Sequence, residues 1–359
     1  MTSHPLHLAA LAAAAVPGLT PVEVVTSPDD AADFDSAVVT DEARQQWRVR
    51  RPRTPEAAMR LETELQVLAG FTPAVRAALP FRMPSVAGAV RQSGLRTFIY
   101  QDMPGAVRTL EDLVAGGESL VSDVARVMAA IHTLPDQVVT LADLPTYTAE
   151  QVRTRRLNEL DQAATTGRIP ALLLRRWETA LEEKELWRFT PVPVHGDLHE
   201  ENLLVDHSHV VGVTGWTDLH VGDPAVDFAW LAAVEDPDFA ERVLDAYRYR
   251  RVEAGQADDG DEHLMRRAAL AAEFALAQWL VRGVDRHDEF MVEEAEQMLA
   301  ELESGVRAAE EPDARATSSH GTDDAPEAAA ETEAEAEAAV EESEVGPATA
   351  GPASESAPR

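Results

Sequence analysis

Apolar and polar positions change their period once along this chain. Between about residues 20 and 105 the apolar runs are short and often alternate at period two: VEVV, DSAVVTD, QQWRVRRP, RMPSVAGAVRQ and LRTFIYQDM read as strands. One helix interrupts them, TPEAAMRLETELQVLAGF. Leu61, Leu65 and Leu68 recur on one side of it, and Thr54 and Pro55 supply a cap and a first-turn proline. After Gly105 the helical period dominates, broken only by short apolar runs over 192–214. The pattern predicts an α+β chain in two lobes, a small strand-rich lobe over 1–105 and a larger helical lobe over 106–305.

The two ends depart from this pattern. LHLAALAAAAV before Pro17 predicts a short amphipathic helix; its length also suits a secretory signal, but no Lys or Arg precedes it. From 306 to 359 the chain turns to Ala, Glu, Pro and Ser without an aromatic residue. Such a segment cannot bury enough apolar surface to offset chain entropy, so a disordered acidic tail is expected there.

Composition narrows the partners. The formal charge of -33 repels phosphate chains and anionic membranes and suits a cationic small molecule, although the tail carries roughly a third of it. No run approaches the roughly 18 apolar residues of a membrane span. Cysteine is absent, which excludes disulfides, thiolate zinc sites and cysteine nucleophiles, and the expected location is cytoplasmic.

Candidate chemistry concentrates in 192-VPVHGDLHEENLLVDHSHVVGVTGWTDLHVGDPAVDFAW-230. Pro191, Pro193 and Gly196 work against a regular helix, so HGDLHEEN reads as a loop between a short strand and NLLVD. NLLVD and VVGVT flank the polar DHSH and predict a hairpin. Asp197 and Asn202 then fall at one site, an acid to accept a hydroxyl proton and a carboxamide to hold a magnesium ion, the parts phosphoryl transfer needs. His195 and His199, with His207, His209 and His220 nearby, also permit a zinc reading. That reading needs a helix, which the proline and glycine oppose. Asp223 before Pro224 reads as an N-cap, and Asp227 one turn later can point back at the loop.

HGDLHEENLLV resembles the catalytic loop of the aminoglycoside phosphotransferase family, a branch of the protein-kinase-like fold. GWTDLHVGDPAVDFAWL is most similar to macrolide 2'-phosphotransferases within that family, and the resemblance covers about residues 20–305. It implies a bilobal kinase-like fold, ATP or GTP with magnesium as cofactors, and transfer of the γ-phosphoryl group to a hydroxyl of a small cationic molecule. A macrolide is the named expectation; an aminoglycoside or a cellular amino-alcohol stays open. Asp197 is the implied base, with His195 beside it in the loop. Arg50, ending WRVR, stands where the family has a lysine, and Glu64 is its implied partner. Alternation sends Trp47 and Val49 to the core and Arg48 and Arg50 toward the cleft. TFIYQDMPG resembles the interlobe hinge, with Tyr100, Gln101 and Met103 against the nucleotide base. Asn202 is an implied metal ligand, and Asp223 and Asp227 brace the loop.

Two departures divide the function. DDAADFDSAVVTD contains no glycine, which leaves phosphate contact to Ser36 and its backbone. In VTGW, Gly215 replaces the family's magnesium-binding aspartate, so a weakened metal site is expected, with Asp218 as a possible substitute and Gly215→Asp as the expected repair. Asp218, Glu235 and Asp236 are the acids expected to attract a substrate amine. The readings are an active phosphotransferase and a pseudokinase-like protein that binds nucleotide or ligand.

Overall fold

The computed structural model describes residues 5–27, 33–232, 234, 236–256 and 261–318. Strands β1 (Pro21–Thr26), β2 (Phe34–Asp41), β3 (Gln46–Pro52), β4 (Val86–Gln92) and β5 (Leu95–Gln101) form one antiparallel sheet in the order β1-β2-β3-β5-β4. Alternation along β3 sorts its side chains. Val49 is buried and Trp47 packs beside it against the opening helix Pro5–Ala15, whose Leu8, Leu11 and Ala12 cover that sheet face. The other face carries Phe34, Phe98 and Tyr100, and helix Pro55–Gly70 lays Ala57 and Leu61 on them. That helix begins at Pro55 because the Thr54 hydroxyl accepts the amide of Ala57 at 3.1 Å.

Beyond Gly105 the structure is helical, as the period change predicts. Helices Gly117–His132, Pro237–Glu253 and the start of Leu264–Arg286 enclose a core with Val124, Met128, Trp216, Phe228 and Val243. A second core gathers Trp177, Phe274, Leu280 and Leu299 between helices Ala171–Glu182, Leu264–Arg286 and Glu289–Ser318. Among these helices run β6 (Val192–Val194), which pairs with β9 (His220–Gly222), and the antiparallel hairpin of β7 (Leu203–Asp206) and β8 (His209–Val213).

The hairpin also ties the two parts of the fold together. Arg82, between helix Pro55–Gly70 and β4, donates its amide to Val211 and accepts from Val213, while Ala106 exchanges backbone hydrogen bonds with Val205. Buried Asp123 anchors the hairpin from below, accepting from the Val210 amide at 3.0 Å and holding His209 Nδ1 at 3.0 Å.

The expected start of the tail at 306 falls within a helix. Helix Glu289–Ser318 runs through Gly305, and the chain divides into units Met1–Ala308 and Ala309–Arg359. Leu302 and Val306 still pack on the second core, and Arg307 pairs with Glu303 at 2.9 Å one turn earlier, so local contacts carry the helix past residue 306. The disorder expected over 319–359 falls outside the described residues.

Candidate active site

The loop from His195 to Asn202 leaves β6 and enters β7, and its shape is fixed by groups remote in sequence. Gly196 has φ +87°, and a Cβ there would lie 2.3 Å from the backbone oxygen of Asp218, so only glycine lets the two segments approach this closely. Buried Asp227 then holds the loop backbone. Its Oδ2 accepts the amide of His195 at 2.8 Å, and its Oδ1 accepts that of Gly196 at 2.9 Å. His132 Nε2 lies 3.0 Å from the same Oδ2; since a carboxylate only accepts, this nitrogen carries the proton. The ring Nδ1 lies 2.8 Å from the Tyr247 hydroxyl, and Arg251 donates to that hydroxyl at 3.0 Å. Burial alone would raise the Asp227 pKa. Hydrogen bonds and charge from His132, the His195 charge and the Gly196 amide outweigh it and hold the carboxyl below its ordinary range.

Asp197 stands at the end of this braced backbone with its side chain 58% exposed, accessible to a substrate hydroxyl. The packing around it nevertheless raises its pKa, and the carboxylates of Asp218 and Asp227 push the same way against His199 and His195. His195 does not share this access. Its ring is fully buried, 4.8 Å from Trp216 between centroids, with Nε2 at 2.8 Å from the carbonyl of Thr214. Burial lowers its pKa against the pull of Asp227. His195, grouped with Asp197 in the sequence and also readable as a brace of the loop, has the position of a brace: its ring is sealed in the core against the 214–215 turn, while the exposed side chain is that of Asp197.

On the sheet side, Arg50 projects from β3 beneath β2, its guanidinium 4.3 Å over the Phe34 ring and 3.6 Å from Glu64. Tyr100 is buried with its hydroxyl 3.3 Å from Glu64, where it supports that ion pair within the Phe34 and Leu61 cluster. Two of the hinge amides expected to meet a base are already committed, Gln101 to the Ser85 carbonyl and Asp102 to that of Gln46. Gln101 and Met103 instead border a cavity of about 680 Å³ with Arg76, Phe81, Arg126 and His209 in its wall; Arg50, Glu64, Asp197 and Asn202 are not among its lining residues. Ser36 lies buried in β2 opposite Arg50, and residues 28–32 of the glycine-free loop fall outside the described residues.

Asn202 and Gly215 meet at the base of the hairpin. Asn202 Nδ2 donates to the backbone oxygen of Asp197 at 2.7 Å, and its Oδ1 accepts the Thr214 hydroxyl at 3.2 Å. Gly215 has φ +79°, and a Cβ on it would lie 2.4 Å from Asn202 Oδ1. The space from which the family's carboxylate would project is filled by the Asn202 carboxamide. The expected repair, Gly215→Asp, therefore needs the Asn202 carboxamide to shift from the place where it makes these hydrogen bonds. Asp218 is exposed and acts electrostatically on Asp197, while its carbonyl lies 2.7 Å from His220 Nδ1. With glycine at 215 and Asn202 Oδ1 accepting from Thr214, this pair of positions supplies no carboxylate to the magnesium site that the family pattern implies.

Two groups escaped the sequence reading. Asp223 caps the following turn at the Ala225 amide, 3.0 Å away, and also receives a two-pronged grip from buried Arg267 at 2.8 and 3.1 Å. Arg267 reaches Asp261 at 2.6 Å as well. Burial opposes its charge, but Asp261 and Asp223 hold its pKa above the ordinary value. A signal existed, because Arg267 lies on the same helical stripe as Leu264 and Ala268. His132 offered less, since a lone histidine closing an apolar helix reads as core. Of the acids expected to attract an amine, Asp236 caps helix Pro237–Glu253, and Glu235 falls outside the described residues.

Comparison with known proteins places this geometry. The model of a family described as "Phosphotransferase enzyme family" matches residues 24–257. The chain is 30% identical to the viomycin phosphotransferase of Streptomyces vinaceus over 258 residues, 66% of this chain and 81% of that protein. It is 22% identical over 227 residues to the uncharacterized protein YcbJ of Bacillus subtilis (strain 168), 60% of this chain and 72% of that one. Among solved structures, macrolide 2'-phosphotransferase type I superposes with TM-score 0.67 at 22% identity, covering 83% of this chain and 98% of that one. The GDP complex of aminoglycoside 2'-phosphotransferase-IIIa gives 0.68 at 17% identity, covering 84% and 99%. At these identities the structural likeness establishes a shared kinase-like fold.

Proposed function

Because the chain belongs to the phosphotransferase enzyme family, we propose that it transfers the γ-phosphoryl group of ATP or GTP to a hydroxyl of a small cationic molecule, with a macrolide 2'-hydroxyl as the leading candidate. The observation that carries this reading is Asp197, accessible at the end of a loop whose backbone Asp227 fixes through two amides. Asp197 accepts the hydroxyl proton as the substrate oxygen attacks the γ-phosphorus. The bond from that phosphorus to the bridging oxygen breaks, and the nucleoside diphosphate leaves.

Arg50, held by Glu64 and Phe34, is the group that meets the nucleotide phosphates. Asp218 beside Asp197 supplies negative potential for a substrate amine. Relatives support the substrate class: one is a viomycin phosphotransferase, and solved neighbours include a GDP and kanamycin complex. We place the activity in the cytoplasm, where nucleoside triphosphates are held; no helix among the described residues is long and apolar enough to cross a membrane.

The test is to incubate the protein with ATP or GTP and a panel of macrolides, aminoglycosides and amino-alcohols, and to seek a phosphorylated product by mass spectrometry. Nucleotide consumption coupled to one acceptor supports the reading. A second reading, a pseudokinase-like protein that binds nucleotide or ligand without transfer, is favoured by Gly215 and its filled space. Tight nucleotide binding without a product from any acceptor would select it.

A further inference from the structure

The cavity bordered by Gln101 and Met103 carries the opposite sign from the chain as a whole. The formal charge is -33, yet Arg76, Arg82 and Arg126 stand in its wall, and Asp102 is the one carboxylate among its lining residues. That acid is already paired, with Arg48 Nε at 3.1 Å. Buried Asp123, next to the wall, is engaged as well: it holds Arg126 Nη2 at 2.9 Å together with the His209 ring and the Val210 amide.

Two of these arginines have no counter-charge. Arg76 donates to the backbone oxygens of Leu68, Phe71 and Pro84 at 3.0, 3.3 and 3.0 Å. Carbonyls orient the guanidinium without neutralising it, and burial lowers its pKa with no carboxylate to oppose the shift. Arg82 is exposed, and its backbone is fixed by Val211 and Val213 of the hairpin. Its side chain makes no hydrogen bond or ion pair among the described residues. The rest of the wall is largely apolar: Phe81 and Met83 are buried, and Leu79 and Val211 are half-buried. A volume of about 680 Å³ with apolar walls and a few charged groups suits a small molecule, and beside such walls an uncompensated cation attracts an anion more strongly than it does in bulk water.

From these observations together we propose that this cavity is a second ligand site, which takes a small organic anion with an apolar body. Arg82 hydrogen-bonds the oxyanion head, a carboxylate or a phosphate, in the field of Arg76 and Arg126, and Phe81, Met83 and Val211 meet the body. Neither Asp197 nor Arg50 lines the cavity, so the site is separate from the proposed phosphoryl transfer and does not depend on it. Its walls come from segment 76–85, the hinge, helix Gly117–His132 and β8, so a bound anion touches both lobes.

Calorimetric titration of the full chain with naphthoate, naphthyl phosphate and the neutral naphthamide tests it. At least one of the two anions is expected to bind about tenfold more tightly than the amide, and the tighter of them identifies the head. Arg82→Gln removes no side-chain hydrogen bond or ion pair among the described residues, so it should retain the wild-type melting temperature and weaken the preferred anion by about tenfold, the loss of one charge-assisted contact. Ser85→Glu, at an exposed position of the same wall, adds a negative charge and should weaken it in the same direction. Arg91→Gln, exposed on β4 and outside the lining, should leave the affinity unchanged. An amide that binds as tightly as both anions, or no binding by any of the three, overturns the inference. So does an unchanged affinity in both wall variants, or a loss in Arg91→Gln equal to that in Arg82→Gln.

Discussion

Asp227 Oδ2 lies 2.8 Å from the amide nitrogen of His195, so one buried carboxylate sets the backbone from which Asp197 projects. Asp227→Asn removes the charge and places an N–H among donors from His195, Gly196 and His132. A cost of about 3–5 kcal/mol in urea-unfolding free energy is expected, the scale for breaking a buried charged network.

The same residue sets an acid limit. Its pKa is lowered in the folded state, so its contribution is fully present above the unfolded value near 3.9 and is lost as pH falls through the lower folded value. Unfolding free energy measured from pH 6 down to pH 2 should fall more steeply in the wild type than in Asp227→Asn below about pH 4.

Asp197 has the opposite sign. Its folded pKa is raised, so ionising it costs stability as pH climbs from the unfolded value through the folded one. Asp197→Asn should therefore be at least as stable as the wild type at pH 7, while turnover of any identified substrate falls by about 10²–10⁴ with little change in nucleotide affinity. The acid limb of kcat/KM should lie above the ordinary carboxylate value of about 3.9. A limb below that value, or full activity of the variant, would remove Asp197 as the base.

Gly215 and Asn202 should prove coupled. At φ +79° a side chain at 215 is strained, and the Asn202 carboxamide must shift as well, so both enter the cost of Gly215→Asp. A loss of about 1–3 kcal/mol is expected by thermal or urea unfolding. With Asn202→Ala in the same chain the loss should shrink, giving a coupling energy of about 0.5–3 kcal/mol. Strict additivity would show that the two side-chain positions do not compete for one space.

Arg267 offers a test remote from any substrate. Both its carboxylate partners are nearly buried, and Arg267→Met leaves Asp223 and Asp261 unpaired. Destabilisation of about 3–5 kcal/mol is expected by urea unfolding. Truncating Asp261 in the Arg267→Met background should cost less than truncating it alone, because its charge partner is already gone.

The sequence by itself determined what short-range physics encodes. Thr54 and Pro55 start their helix wherever it packs, alternation sends Val49 and Arg50 to opposite sides of β3, and the Pro and Gly residues around HGDLHEEN hold it out of a helix. These local rules sufficed for the α+β architecture in two lobes, while the kinase-like fold and the family came from the resemblance carried by HGDLHEENLLV and GWTDLHVGDPAVDFAWL. Composition placed the start of the tail at 306, within three residues of the division at Ala308, but does not register that Leu302 and Val306 still have a core to pack on. Only the tertiary structure decided how the site is held. The links of His132 to Asp227, of Arg267 to Asp223, and of the Asn202 carboxamide to the space beside Gly215 join residues from separate elements, and no period or cap announces them. A missing carboxylate can be read from one letter of the sequence, but whether its place stands open or is filled depends on side-chain packing in three dimensions. Here a neighbour's hydrogen bonds fill it.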